Sequence, residues 1–215
     1  MTEKLSKASK QLGIAYISVW ATMVISAVGL FLFWHKGNDF GRVLYWIAFV
    51  VGFGTAGFGV VAARGFNNAM REAGHSASVL LWWSFIVLII CNLLSLTSLY
   101  GASPILPMKE GAMTFISLGA MVIFWLFPLF TSICFSRYDR INNSFRKAFI
   151  VSIIFAVITL FMSPLVITMI NAGNAGDDKG GVNFFNVLYA LVYGILLTLF
   201  IMPLFTMKPT QHKEG

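Results

Sequence analysis

Residues 43–63 read VLYWIAFVVGFGTAGFGVVAA, a run of 21 residues bounded by Arg42 and Arg64 that holds no charged residue and no histidine. At a helical rise of ~1.5 Å per residue the run is roughly 31 Å long, close to the ~30 Å hydrocarbon thickness of a bilayer. No water reaches the peptide groups in hydrocarbon, so a crossing segment must close its own hydrogen bonds as a helix. The run is apolar on every face and lacks the polar alternation of a barrel strand.

Five further runs have the same character: 14–34, 79–100, 113–135, 148–170 and 187–206. All 15 Lys and Arg, all 8 Asp and Glu and all 3 His fall outside the six runs. The expected fold class is therefore all-α, a polytopic membrane protein built as a bundle of six transmembrane helices. Residues 14–206 form the transmembrane domain, and 1–13 and 207–215 are tails. The first run follows Lys4, Lys7 and Lys10 as a signal peptide would, but it is too long for an h-region, and Trp34, His35 and Lys36 stand where a cleavage site belongs. It reads as a retained helix.

Composition agrees with this. Of 215 residues 58% are hydrophobic and 11% charged, with a mean hydropathy of +0.82. Soluble domains carry roughly 25% charged residues, so soluble, disordered and fibrous classes are excluded. The net charge of +7 is a topology signal rather than a nucleic-acid footprint. Eleven Lys and Arg lie on the side of the two tails, in the tails and the 64–78 and 136–147 loops, and four on the other side. The positive-inside rule then places N- and C-termini in the cytoplasm, and a bacterial inner membrane is the expected location. Cys91 and Cys134 stand singly in apolar runs, which gives neither a disulfide framework nor a thiol metal site.

Within 43–63, Gly52-Phe53-Gly54-Thr55-Ala56-Gly57 carries the letters of a dinucleotide fingerprint. That motif needs a strand before it and an acid ~20 residues after it. Neither is present. Gly52, Ala56, Gly59 and Ala63 instead share one helix face, where small side chains let helices approach closely. They are the candidate packing face within the bundle, or a subunit interface.

Pro128 and Pro164 interrupt two later runs, and Asn92 is the one amide well inside a run. Broken helices line solute sites in transporters, and an intramembrane amide bonds a neighbouring helix or a solute. These three are the candidate kink or solute-path residues. Arg137, Arg140, Arg146 and Lys147 form the densest basic loop. They are candidates for docking a cytoplasmic partner or anionic lipid headgroups.

Catalytic chemistry has little to stand on. Glu72, His75 and Asp139 are the available acid–base groups, with Glu72 and His75 close enough in sequence to share a helix face. They form no nucleophile–base pair or three-ligand metal set. Asp177 and Asp178 sit among Gly and Asn in a connector. The reading is a protein with no catalytic, cofactor or metal site, working as a membrane subunit or accessory of a larger complex, a transport system foremost. Its partners are the bilayer, anionic headgroups and other membrane proteins or further copies of the chain, with no nucleic acid. The alternative is a self-contained permease for a neutral or apolar solute. An interfacial enzyme is the weakest reading.

Overall fold

A computed structural model describes residues 3–36, 39–75, 77–100, 150, 153–154, 157, 187–188, 190–192, 194–195, 198, 201–202 and 204–206. Apart from the turn at 73–79 these residues are helical, and no strand occurs among them. The continuous elements are α1 (Glu3–Lys36), α2 (Asp39–Glu72) and α3 (Leu80–Tyr100). Glu3–Gly29 and Asp39–Glu72 are long and apolar enough to cross a membrane. The run 113–135 and most of 148–170 lie outside the described residues.

Helix α1 begins at Glu3, so most of the segment expected as a tail is helical. The cause is a stripe that starts before the apolar run. Leu5, Ala8, Leu12, Ala15, Tyr16 and Val19 recur every three or four residues and are all buried. Helix α2 likewise continues past Ala63, burying Phe66, Ala69 and Met70. The two helices lie antiparallel. Lys4 Nζ meets Glu72 Oε2 at 3.2 Å at one end, and the Thr22 and Thr55 hydroxyls lie 3.4 Å apart midway. Near the other end Gly29 faces the backbone of Gly41 and Tyr45.

Helix α2 stops in a Schellman motif. The Gly74 amide donates to the Arg71 carbonyl at 3.0 Å, and the His75 amide to the Met70 carbonyl at 2.9 Å. Gly74 takes φ +79°, a left-handed conformation that glycine reaches without a Cβ penalty. The chain then turns into α3, and Asn67 Nδ2 ties the turn down by donating to the Ser78 carbonyl at 2.8 Å. Helix α3 runs back along α2, with Phe85 against Gly59 and Asn92 against Gly52.

Helical residues of 187–206 cover another side of α1, also antiparallel. Ser9 Oγ donates to the Leu204 carbonyl at 2.5 Å, and Trp20 Nε1 to the Ala190 carbonyl at 2.9 Å. Helix α1 therefore touches both its sequence neighbour and the far end of the chain.

The α1 and α2 backbones come close at Gly29. A Cβ there would lie 2.7 Å from the Tyr45 nitrogen and 2.9 Å from the Gly41 oxygen, and these are backbone atoms with little room to move. At Gly57 a Cβ would meet nothing within 4 Å. Gly29→Ala is expected to cost about 1–3 kcal/mol through overpacking, and Gly57→Ala to gain up to ~1 kcal/mol from helix propensity. Thermal melting of the two variants in detergent should move the midpoint in opposite directions. Equal midpoints would show that α1 and α2 are not in close contact at Gly29.

Candidate functional site

The small-residue face of α2 is occupied inside the chain. Ala56, Gly59 and Ala63 are buried and Gly52 is half-buried. A Cβ on Gly59 would run into the Phe85 ring, and one on Gly52 would lie 2.6 Å from Asn92 Nδ2. Phe85 in turn packs on Tyr16 of α1, with ring centroids 5.1 Å apart. The glycines thus leave space for an aromatic ring and an amide from α3.

Asn92 Nδ2 donates to the Phe49 carbonyl at 3.1 Å. A helical carbonyl has a second lone pair beyond its own intrahelical bond, and the amide uses it. One turn along, Thr55 Oγ1 donates to the Gly52 carbonyl at 3.1 Å. Across the seam, Thr22 Oγ1 donates to the Ser18 carbonyl at 2.7 Å. Asn92, Thr55 and Thr22 place neutral donors and acceptors at the middle level of three helices. Such groups hold a neighbouring helix or a neutral hydrogen-bonding molecule, and they do not change charge near neutral pH.

Charge collects at the helix ends. Asp39 and Arg42 pair at 3.2 Å at the start of α2. At the opposite end lie Lys4, Lys7, Lys10, Arg64, Arg71, Glu72 and His75. Here the Arg64 guanidinium sits 4.5 Å from the centre of the Trp82 ring. Trp82 stacks on Trp83 with centroids 5.0 Å apart and 25° between planes. Beside the turn that follows α2, Asn67 is 5% exposed, and its Oδ1 has no hydrogen-bond partner among the described residues.

Glu72 and His75 do not share a helix face, because α2 ends at Glu72 and the Gly74 turn carries His75 away. Glu72 faces Lys4, and both side chains are exposed. Among the described residues no group of three or more His, Cys, Asp or Glu could hold a metal ion. Pro128, Pro164, Arg137, Asp139, Arg140, Arg146, Lys147, Asp177 and Asp178 lie outside the described residues.

Among the polar contacts not anticipated from sequence are those of Ser9, Trp20 and Asn67, each donating to a backbone carbonyl. For Ser9 a signal existed, since it lies on the stripe that buries Leu5, Ala8 and Leu12. For Trp20 the companion is Gly194, where a Cβ would lie 2.5 Å from Trp20 Nε1. Only the fold pairs those two positions.

Removing one such contact should have a small, measurable effect. Asn92→Leu and Trp20→Phe are each expected to cost about 0.6 kcal/mol and at most ~1.7 kcal/mol, the range for hydrogen bonds between membrane helices. Trp20 donates to the Ala190 carbonyl and Asn92 to the Phe49 carbonyl, so the double variant should melt at the sum of the single shifts, within ~0.5 kcal/mol. A loss well above that range would mean that a contact does more than join two helices. No protein-family model matches the chain, and no curated protein or solved structure is detectably similar to it.

Proposed function

We propose that the chain is a non-catalytic integral membrane component, a six-span bundle with both termini in the cytoplasm of a bacterial cell. In this reading it acts as a subunit or accessory of a larger membrane complex, a transport system foremost. Its contacts are bilayer lipid, neighbouring membrane proteins or further copies of the chain, and anionic headgroups at basic loops such as the one holding Arg137, Arg140, Arg146 and Lys147.

The observation that carries the membrane part of the reading is the outer face of α2. Phe40, Val43, Ile47, Val50, Phe58 and Val61 are all exposed, from 40% at Phe58 to 69% at Val61. The apolar stretch ends at Arg64, the first charge after Arg42. A contiguous apolar face of this length drives association in water and is at rest against acyl chains. Helix α1 and residues 187–206 also expose large apolar residues, including Ile14, Ile25, Leu191 and Ile195.

The subunit reading is supported by where polarity is found. Described charges stand outside the apolar runs, and Ser9, Trp20 and Asn92 donate to backbone carbonyls of neighbouring helices. A permease for a neutral solute is the second reading, favoured by the uncharged level formed by Thr22, Thr55 and Asn92.

Two measurements test these proposals. With Cys91 and Cys134 replaced by Ala, Val50→Cys should resist a water-soluble maleimide in native membranes, while Lys7→Cys and Arg71→Cys react from the cytoplasmic side. Labelling of Val50→Cys would put the apolar face in water and end the membrane reading. Purification of the tagged chain in mild detergent from its host, with mass spectrometry of what accompanies it, should return a stoichiometric partner. A chain that emerges alone and carries a neutral solute into vesicles would replace the subunit reading with the permease.

A further inference from the structure

We infer that Arg64, laid over Trp82, is a binding site for the phosphate of an anionic phospholipid at the cytoplasmic boundary of the bilayer. The inference rests on the membrane reading above and adds a specific site to it.

Depth is the first argument. Arg64 follows the 43–63 run directly, and Phe53 stands at the middle of that run. Eleven helical steps separate the two residues, about 16 Å, against a hydrocarbon half-thickness of about 15 Å. Arg64 thus lies where acyl chains give way to headgroup phosphates. Val61, one turn deeper on α2, is 69% exposed and faces the acyl region.

Orientation is the second. The guanidinium carbon lies 4.5 Å from the Trp82 ring centre, inside cation–π range. Trp82 is itself stacked on Trp83, which is 47% exposed. Tryptophan settles at the headgroup level, so the pair forms a shelf at the depth of the lipid phosphates. A guanidinium held over an aromatic face keeps its N–H edge available, and that edge matches two oxygens of a phosphate at once.

The third argument is the unused charge. Arg64 is exposed and has no hydrogen bond or ion pair among the described residues. Of the acids at this end, Glu72 is engaged by Lys4 at 3.2 Å. Lys7, Lys10 and Arg71 are exposed at the same end and add to the attraction for an anionic surface. Arg42, at the other end of the same run, has its own carboxylate in Asp39. A charge that meets an aromatic shelf instead of a carboxylate, at this depth, fits a ligand that brings its own negative charge.

The experiment uses the full chain in lipid nanodiscs and in mixed micelles. Native mass spectrometry counts lipids retained from an equimolar mixture of phosphatidylglycerol and phosphatidylcholine. The wild-type chain should retain phosphatidylglycerol preferentially. Arg64→Gln should reduce that preference about fivefold, the equivalent of ~1 kcal/mol for one basic residue at an anionic surface. Lys7→Gln alone, farther from the aromatic shelf, should reduce it less. Brominated phosphatidylglycerol should quench wild-type tryptophan fluorescence more than brominated phosphatidylcholine, a readout that needs no variant.

An Arg64→Gln chain that keeps the wild-type preference, or equal quenching by the two lipids, overturns the site. Displacement of phosphatidylglycerol by millimolar inorganic phosphate also overturns it, since the ligand would then be free phosphate. A chain that stays monodisperse without detergent or lipid overturns the membrane reading itself, an outcome distinct from the other three.

Discussion

Gly29 brings the backbones of α1 and α2 so close that a single methyl group would collide with the Tyr45 amide and the Gly41 carbonyl. The rest of the α1–α2 seam runs on from that approach. With the helices held together there, their long antiparallel faces stay in register, so that Thr22 meets Thr55 and Lys4 meets Glu72. Helix α3 and residues 187–206 then find formed surfaces to pack on. Between membrane helices there is no hydrophobic gain from association, because lipid is as apolar as the partner helix. Close packing and a few interhelical hydrogen bonds must supply the specificity. Glycine is the residue that permits the first, and in this chain it also positions the second. Gly52 leaves room for Asn92, and Gly194 for the Trp20 indole.

Several of the side-chain donors that join separate elements are aimed at backbone carbonyls. Ser9, Trp20 and Asn92 each reach the carbonyl of another helix, and Asn67 reaches the turn before α3. A carbonyl inside a helix cannot move to find water, so its spare lone pair is a fixed acceptor. Contacts of this kind set register without burying a charge. They leave an interior suited to joining helices or to meeting an uncharged molecule, with the ionisable groups kept at the ends. The end that carries Lys4, Arg64 and Arg71 differs from the other. There α1 and α2 continue together beyond the apolar run, with Leu5, Phe66 and Met70 packed between them.

Helical character was legible in the sequence, as was the spacing that puts Gly52, Ala56, Gly59 and Ala63 on one helix face. Each follows from local composition or from a repeat of three to four residues. What was missed has a common cause. The helical start at Glu3 depends on Leu5 and Leu12 being covered, and the lysines spaced among them make the segment look like a charged tail. The separation of Glu72 from His75 depends on a left-handed Gly74, which a spacing count does not register. Asn92 stands out in the sequence as an amide inside an apolar run, but its acceptor, the Phe49 carbonyl, is a backbone atom that no side-chain pattern reveals.

The sequence by itself determined that this chain forms long apolar helices, because its charges fall between unbroken apolar runs and leave Glu3–Gly29 and Asp39–Glu72 long and apolar enough to cross a membrane. The tertiary structure alone decided which faces meet: that Gly52 and Gly59 receive α3, that α1 is flanked by both α2 and residues 187–206, and that Arg64 rests on a tryptophan ring. Helices that are apolar on every face carry no pattern naming their neighbours. The choice falls to atomic fit, to the few ångströms that a glycine leaves open and an indole or an amide fills.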